Sequence, residues 1–442
     1  MKFSRILALL LALAMILSLA ACGDQSAASG SAAASSADTA APATSEAEPA
    51  ADDVETPDIT LPAEAEADVV AYLTDGAYHN DDVVATVGQT DITAAQLFYW
   101  IAYQAYELTY RYYYSYGYLL TFEEDMGNGT TAGEYIANLG ATTAIAYAAA
   151  AEKARELNVT VSAEDAEALA NFDADNIESY CQTRWDSFVS AGLIDEADYD
   201  DAAKAAWIQT EGEQFYEHSM LYFSTTKEAY EQLTWDFCYY SALQESLFGE
   251  GGEYAPTEET LADYLQSYIS DNGVIWGRCI LFSTADCETD EDRAAVLAEA
   301  QQTYDQLSVL SGDALEQAFT EQQTAFDKSG YTPGEVQHYT NTDSLVDGYY
   351  SGLEALEPGQ VGITDLTDYG YFVLLREADN TDDIADTVEQ DYIATTYDAL
   401  VTEWQSDYGV DTDSLLPDLD AISYFTALQA LQSTLTTVDT VG

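Results

Sequence analysis

Val274-Ile-Trp-Gly-Arg-Cys-Ile-Leu-Phe282 is a run of β-formers carrying one cysteine, and its reading decides the fold. From it to Arg376 the residues read as one small unit. A strand over 274–282 is followed by an amphipathic helix over 290–310, a second helix over 314–323 and a third over 345–356. Pro358-Gly359 then makes a turn, and residues 369–376 form a closing strand. A β-α-α-α-β order in about 100 residues predicts a compact α+β domain whose first and last strands lie side by side.

Outward from this unit the pattern is helical. Val83 to Val87 reads as a strand, Gly88-Gln89-Thr90 as a turn, and Thr93 as the N-cap of a helix, with order beginning near Val83. That helix places Tyr99, Tyr103, Tyr106, Tyr110 and Tyr113 at steps of four and three, which makes one aromatic stripe. Such a stripe serves either as core packing or as a cradle for apolar segments of other proteins. An Ala-rich helix over 141–157 follows, and Asn158-Val159-Thr160-Val161 breaks it. Ser162 then caps a helix over 166–191, with others over 198–221, 227–247 and, behind Thr257, to Tyr268. After Asn380 the chain returns to helix over 391–408, with Tyr392, Thr396, Leu400 and Trp404 on one face that needs a partner; the earlier helices supply it.

The first 21 residues form an export signal, with Lys2 and Arg5 ahead of an apolar run too short to span a membrane. It ends Leu19-Ala20-Ala21-Cys22-Gly23, which looks like a bacterial lipobox, so Cys22 is the expected lipid attachment site. Several acyl chains at about 0.8 kcal/mol per buried CH₂ would hold it on a membrane. Residues 22–66 are rich in Ala, Ser, Thr, Pro and acids and read as a flexible tether.

With 80 acidic against 12 basic residues, the formal charge is −68, which makes nucleic acid an improbable partner. Basic clients fit such a charge, and so does Ca²⁺. No Asp-x-Asp-x-Asp-Gly loop is present, however; Asp173-Ala-Asp175 lacks the turn glycine and the closing Glu. Cys181, Cys238, Cys279 and Cys287 have neither Cys-x-x-Cys nor zinc-type His spacing and read as small buried residues. No metal or cofactor is expected. The 34 tyrosines against 14 phenylalanines supply apolar contact through rings with a polar tip, which suits wet, adaptable surfaces.

Several motifs now come in a telling order. Val-Ala-x-Val-Gly precedes a Thr-capped helix, and Ala-Arg-Glu-Leu-Asn-Val-x-Val-Ser-x-Glu-Asp lies between helices. Pro-Thr-Glu-Glu stands before Tyr264, Leu-Glu-Pro-Gly-Gln-Val-Gly at 356–362, and Tyr-Gly-Tyr-Phe-Val-Leu at 369–374. The layout from Val83 to Tyr408, behind a lipobox, resembles the parvulin-type extracytoplasmic foldases, the PrsA-like and SurA-like chaperones. The resemblance implies a helical chaperone domain over 67–270, completed by a C-terminal helical segment over 380–442, with a parvulin-like prolyl isomerase domain over 273–379 inserted between. Members hold the prolyl ring in an apolar slot while a hydrogen-bond network, usually two histidines and an Asp or Cys, eases amide rotation against a barrier of about 18–20 kcal/mol.

In that alignment Arg-Cys-Ile-Leu-Phe matches Arg-His-Ile-Leu-Val, so Cys279 stands at the first histidine. Tyr-Gly-Tyr-Phe-Val matches Phe-Gly-Tyr-His-Ile, so Phe372 stands at the second. Glu335 falls at the acid with His338 beside it, and Leu345 and Tyr349 fall on the apolar slot. The resemblance therefore implies a lipid-anchored chaperone, on a bacterium of Gram-positive type, for unfolded or partly folded exported proteins. Tyr103 and Tyr110 are its expected client contacts, and isomerase activity is weak or lost. Two alternatives stay open: an active isomerase using Cys279 and Glu335 as a reduced network, and a surface solute-binding lipoprotein, for which strands and helices should alternate throughout.

Overall fold

The computed structural model describes residues 60–441 apart from Asn128, Ala191, Ser344, Thr367, Asp368, Asp413 and Ser414. The export signal, Cys22 and the tether as far as residue 59 lie outside the described residues. Among the described residues no helix is long and apolar enough to cross a membrane. The chain is α+β and divides into two units, Met1–Gly249 with Ala399–Gly442, and Glu250–Asp398.

The first unit is helical apart from one hairpin. Regular structure starts earlier than expected, with α1 (Ala63–Ala67) and α2 (Val69–Leu73), so the end of the expected tether is helix. Glu64 and Glu66 give this stretch a solvated look, yet Ala65, Val69, Val70 and Leu73 are buried. Asp68 caps α2 by accepting from the Ala71 amide at 3.0 Å. The hairpin of β1 (Val83–Val87) and β2 (Thr90–Thr93) leads into α3 (Ala94–Tyr116), which starts at the predicted cap: Thr93 and Gln96 form a reciprocal capping box. Next comes α4 (Ala132–Glu156), capped likewise by Thr131 and Glu134. The helices α3 and α4 cross so closely at Gly140 that a Cβ there would stand 2.6 Å from the Ile101 Cα, which only glycine allows.

An ion cluster pins the hairpin to this core. Glu152 accepts from the Gln89 amide at 3.2 Å and the Thr90 hydroxyl at 2.9 Å. Arg155 donates to Thr90 at 2.9 Å, to Glu152 at 3.3 Å and to Asp236 at 3.2 Å. Asp236 lies on α8 (Lys227–Phe248), which follows α5 (Ala163–Ala170), α6 (Phe172–Ser190) and α7 (Asp201–Tyr222). The single helix expected over 166–191 is thus two, separated at Asn171. Burial pushes the Asp236 carboxyl up to about 6 and outweighs the Arg155 guanidinium that opposes it. Because the folded state then holds its proton more tightly than the unfolded chain, this group favours folding below about pH 4, and the contribution is lost as pH rises through about 6. Asp236→Asn is expected to flatten that slope, by up to about 1.4 kcal/mol per pH unit, in urea titrations between pH 4 and 7. An unchanged slope would contradict it.

In the second unit Thr257 caps α9 (Glu258–Asn272), and Gly273 ends it in a left-handed turn (φ 58°). The strand read first in the sequence is β3 (Ile275–Ser283). It is followed by α10 (Asp290–Leu307), α11 (Asp313–Phe326), β4 (Gln337–Tyr339), α12 (Tyr349–Glu354), β5 (Val361–Leu366) and β6 (Gly370–Arg376). The antiparallel sheet has the order β4-β3-β6-β5, so the first and last strands are neighbours as predicted, with Cys279 opposite Leu374 and Leu281 opposite Phe372. Strands β4 and β5 are additions to the predicted order. The expected helix over 345–356 shortens to six residues because Gly348, at φ 90°, starts it late.

Strand alternation sends residues to two cores. Ile280, Phe282, Val373 and Leu375 pack against α10 and α11. Cys279, Leu281, Phe372 and Leu374 pack against Tyr339, Tyr349 and Leu353. A third cluster joins Val274 and Trp276 to Tyr264, Leu265 and Ile269 of α9, to Ile384 at the end of the 3₁₀ turn Thr381–Ile384, and to Val388 in the first turn of α13 (Ala385–Tyr408). This cluster belongs to the second unit, Glu250–Asp398. In α13 the buried residues are Val388, Tyr397, Val401 and Trp404, while Tyr392, Thr396 and Leu400 of the expected face are half-buried. Finally α14 (Ala421–Val441) packs in the helical unit, with Phe425 stacked on Phe122 at 4.3 Å and the Tyr424 hydroxyl 2.8 Å from Ser224.

Candidate functional site

Two places carry the expected site residues, one in each unit. In the α+β unit, Cys279 and Phe372 point to the same side of β3 and β6 and share a core with Tyr349 and half-buried Leu345. Four expected residues are therefore brought together, but as packing. Cys279 is 1% exposed, Tyr349 4% and Phe372 5%. The Tyr349 ring meets Phe372 edge-on at 5.5 Å and Tyr339 edge-on at 5.3 Å, so the expected slot is filled from within.

The polar groups around Cys279 differ from those expected. Glu335 is exposed in the turn Thr332-Pro-Gly-Glu335, and the carboxylate acting on the thiol is Asp327. Asp327 accepts from the Leu281 amide at 2.7 Å and from the Ser329 hydroxyl at 2.5 Å. The Tyr339 and Tyr349 hydroxyls share a bond of 3.1 Å, and the Tyr349 and Ser329 hydroxyls act on the Cys279 thiol in the direction opposite to its burial. Buried Gln323 holds the strand by donating to the Cys279 carbonyl at 3.0 Å and accepting from Gly334 at 3.0 Å. Burial drives the thiol up to about 11 and both tyrosine hydroxyls above their ordinary range. All three are held neutral, so none is poised to exchange protons at neutral pH. His338 is exposed, 3.9 Å from Asp383, and turned away from this core. Tyr339, which faces inward beside exposed His338 on the three-residue strand β4, was missed in the sequence together with Asp327 and Ser329.

In the helical unit the aromatic stripe is divided along its length. Tyr99 is 3% exposed and packs on Trp100, Phe223 and Tyr230, and Tyr103 is half-buried beside it. Burial, and then the charge of Glu107, raises the Tyr103 hydroxyl to about 12. Further along, Tyr110 is 43% exposed, Tyr113 52% and Tyr114 63%. Tyr106 stacks on Tyr110 at 6.1 Å, and Tyr110 meets Tyr114 at 4.3 Å. These rings, with Leu119, Phe122, Tyr222 and Leu428, line an open groove of about 330 Å³. Of the two expected client contacts, Tyr110 lines the groove and Tyr103 belongs to the core at its end. The stripe is core packing over its first half and an exposed groove wall over its second. A second cleft of about 530 Å³, between the end of α4 and α8, is lined by Ser162, Asp165, Cys238 and Glu245 among others.

Cys181, Cys238 and Cys279 are buried as expected, Cys287 is half-buried, and none of the four forms a disulfide. Among the described residues no cluster of His, Cys, Asp and Glu could hold a metal ion.

No family model matches the chain, and no curated protein matches it. Among solved structures it is similar to one of two structurally related SurA-like chaperones of Campylobacter jejuni, at 16% identity over 51% of this chain and 91% of that one, with a TM-score of 0.20. It is also similar to PrsA from Bacillus subtilis, at 14% identity over 66% and 93% (TM-score 0.21). A third similarity is to the foldase protein PrsA of Streptococcus pneumoniae, at 12% identity over 55% and 85% (TM-score 0.19).

Proposed function

We propose that the protein is a lipid-anchored, extracytoplasmic foldase-type chaperone that binds unfolded exported proteins through its helical unit and carries an inserted parvulin-like unit of weak or lost isomerase activity. The observation that carries this reading is the open tyrosine groove. A row of exposed rings on a capped helix gives extended apolar segments a contact surface whose polar tips stay wet. Loss of isomerase activity is supported by Cys279 and Phe372 being buried packing residues at the two histidine positions of the resemblance, around a slot already filled by Tyr349. Anchoring is supported by Leu19-Ala20-Ala21-Cys22-Gly23 behind the apolar run.

Refolding of an aggregation-prone client tests the reading. With the protein in molar excess, the yield of folded client is expected to rise and light scattering to fall. Neither change, together with no binding to the unfolded client, would overturn it.

A further inference from the structure

We infer that the tyrosine groove selects extended segments in which Lys or Arg stands next to an aromatic or large aliphatic side chain. This rests on the reading of the helical unit as a client-binding unit and adds the chemistry of the client. The groove offers ring faces: Tyr106, Tyr110 and Tyr114 follow one another at 6.1 and 4.3 Å, with the last two substantially exposed. The negative face of a phenol attracts a cation.

The surrounding charge points the same way. From Ala94 to Gly140, the stretch that supplies most of the lining, Arg111 is the single basic residue against Glu107, Glu123, Glu124, Asp125 and Glu134. Behind burial and neighbouring tyrosines, the charge of Glu107 adds to the raised hydroxyls of Tyr103, Tyr106 and Tyr110, and that of Glu124 to Tyr118. The opposite wall brings no charge, since α14 contributes Leu428, Gln429 and Gln432. A cationic segment is drawn in by this field and an acidic one is repelled. A second copy would bring the same excess of 80 acids over 12 bases against it, so self-association is disfavoured. The volume of about 330 Å³ admits one or two side chains of an extended segment, being at the small end of the roughly 300–1,000 Å³ of ligand sites. An apolar anchor therefore enters the groove while its basic neighbours lie over exposed rings and acids.

Fluorescence anisotropy of labelled short peptides with the full-length protein tests this. Three peptides of one length are compared: alternating Phe and Lys, Phe and Glu, and Ser and Lys. The Phe/Lys peptide is expected to bind about tenfold more tightly than either other and to weaken in high salt. The double substitution Tyr110→Ser with Tyr114→Ser, at exposed positions, is expected to raise its Kd about tenfold with thermal unfolding unchanged. Phe/Glu binding as tightly would remove the charge selection, and Ser/Lys binding as tightly would reduce it to ion exchange. An unchanged Kd in the double variant, or a dimer in sedimentation that this variant abolishes, would assign the groove to something else. Refolding yield separates the two levels: full yield in a double variant with unchanged peptide binding overturns the groove alone, whereas no yield in the unsubstituted protein overturns the chaperone reading beneath it.

Discussion

Replacing Phe425 by alanine is expected to destabilise the helical unit by about 3–5 kcal/mol. The ring is fully buried, lies flat on Phe122 at 4.3 Å and 12°, and meets Tyr424 edge-on at 4.9 Å. Its Cδ2 would stand 3.3 Å from a Cβ at Gly133, and the Gly133 amide is tied to the Phe122 carbonyl at 2.9 Å. Backbone fixed on that side leaves little room for collapse, so most of the cavity cost should persist. Phe122 and Leu428 also line the groove, which should lose its floor together with stability. Urea unfolding followed by near-ultraviolet circular dichroism measures the loss. A change under about 1 kcal/mol would mean that α14 does not close this core.

Arg278→Ala is expected to cost the α+β unit a similar amount, about 3–5 kcal/mol, by leaving carboxylates uncompensated. The guanidinium side chain is 2% exposed, donates to Glu377 at 2.5 Å and to Thr320 at 3.0 Å, pairs with Glu316, and lies 5.2 Å over the Phe319 ring. Glu377 is itself buried, and removing its partner forces protonation or exposure. Adding Glu377→Gln to Arg278→Met should recover much of the loss, because the pair is then replaced rather than broken. If the single alanine variant unfolds at the parent's urea midpoint, the cluster contributes nothing to stability and this account of it fails.

What the residues disclosed in advance was mainly local. The caps at Thr93, Ser162 and Thr257 were readable because a cap and its partner lie within three residues. The pairing of β3 with β6 followed from two apolar runs flanking helices. Strand β4 escaped because three edge residues carry too little pattern, and β5 because Val-Gly-Ile-Thr-Asp-Leu is half-buried rather than alternating. The stripe on α3 was visible as a stripe, but its division into core and groove is set by Phe223, Tyr230 and Phe122, far away in sequence. For the same reason the resemblance put the acid at Glu335, which is exposed, and passed over Asp327, whose charge acts on Cys279. The position of Asp327 depends on α11 ending beside β3, where the Lys328 amide donates to the Leu281 carbonyl at 3.1 Å.

In the proposed function, client holding is kept while prolyl isomerisation is weak or lost. Refolding of a client limited by one prolyl isomerisation measures both at once. The account predicts a higher yield of folded client with the slow rate constant unchanged at excess protein. A faster slow phase, or a yield no better than without the protein, would contradict it.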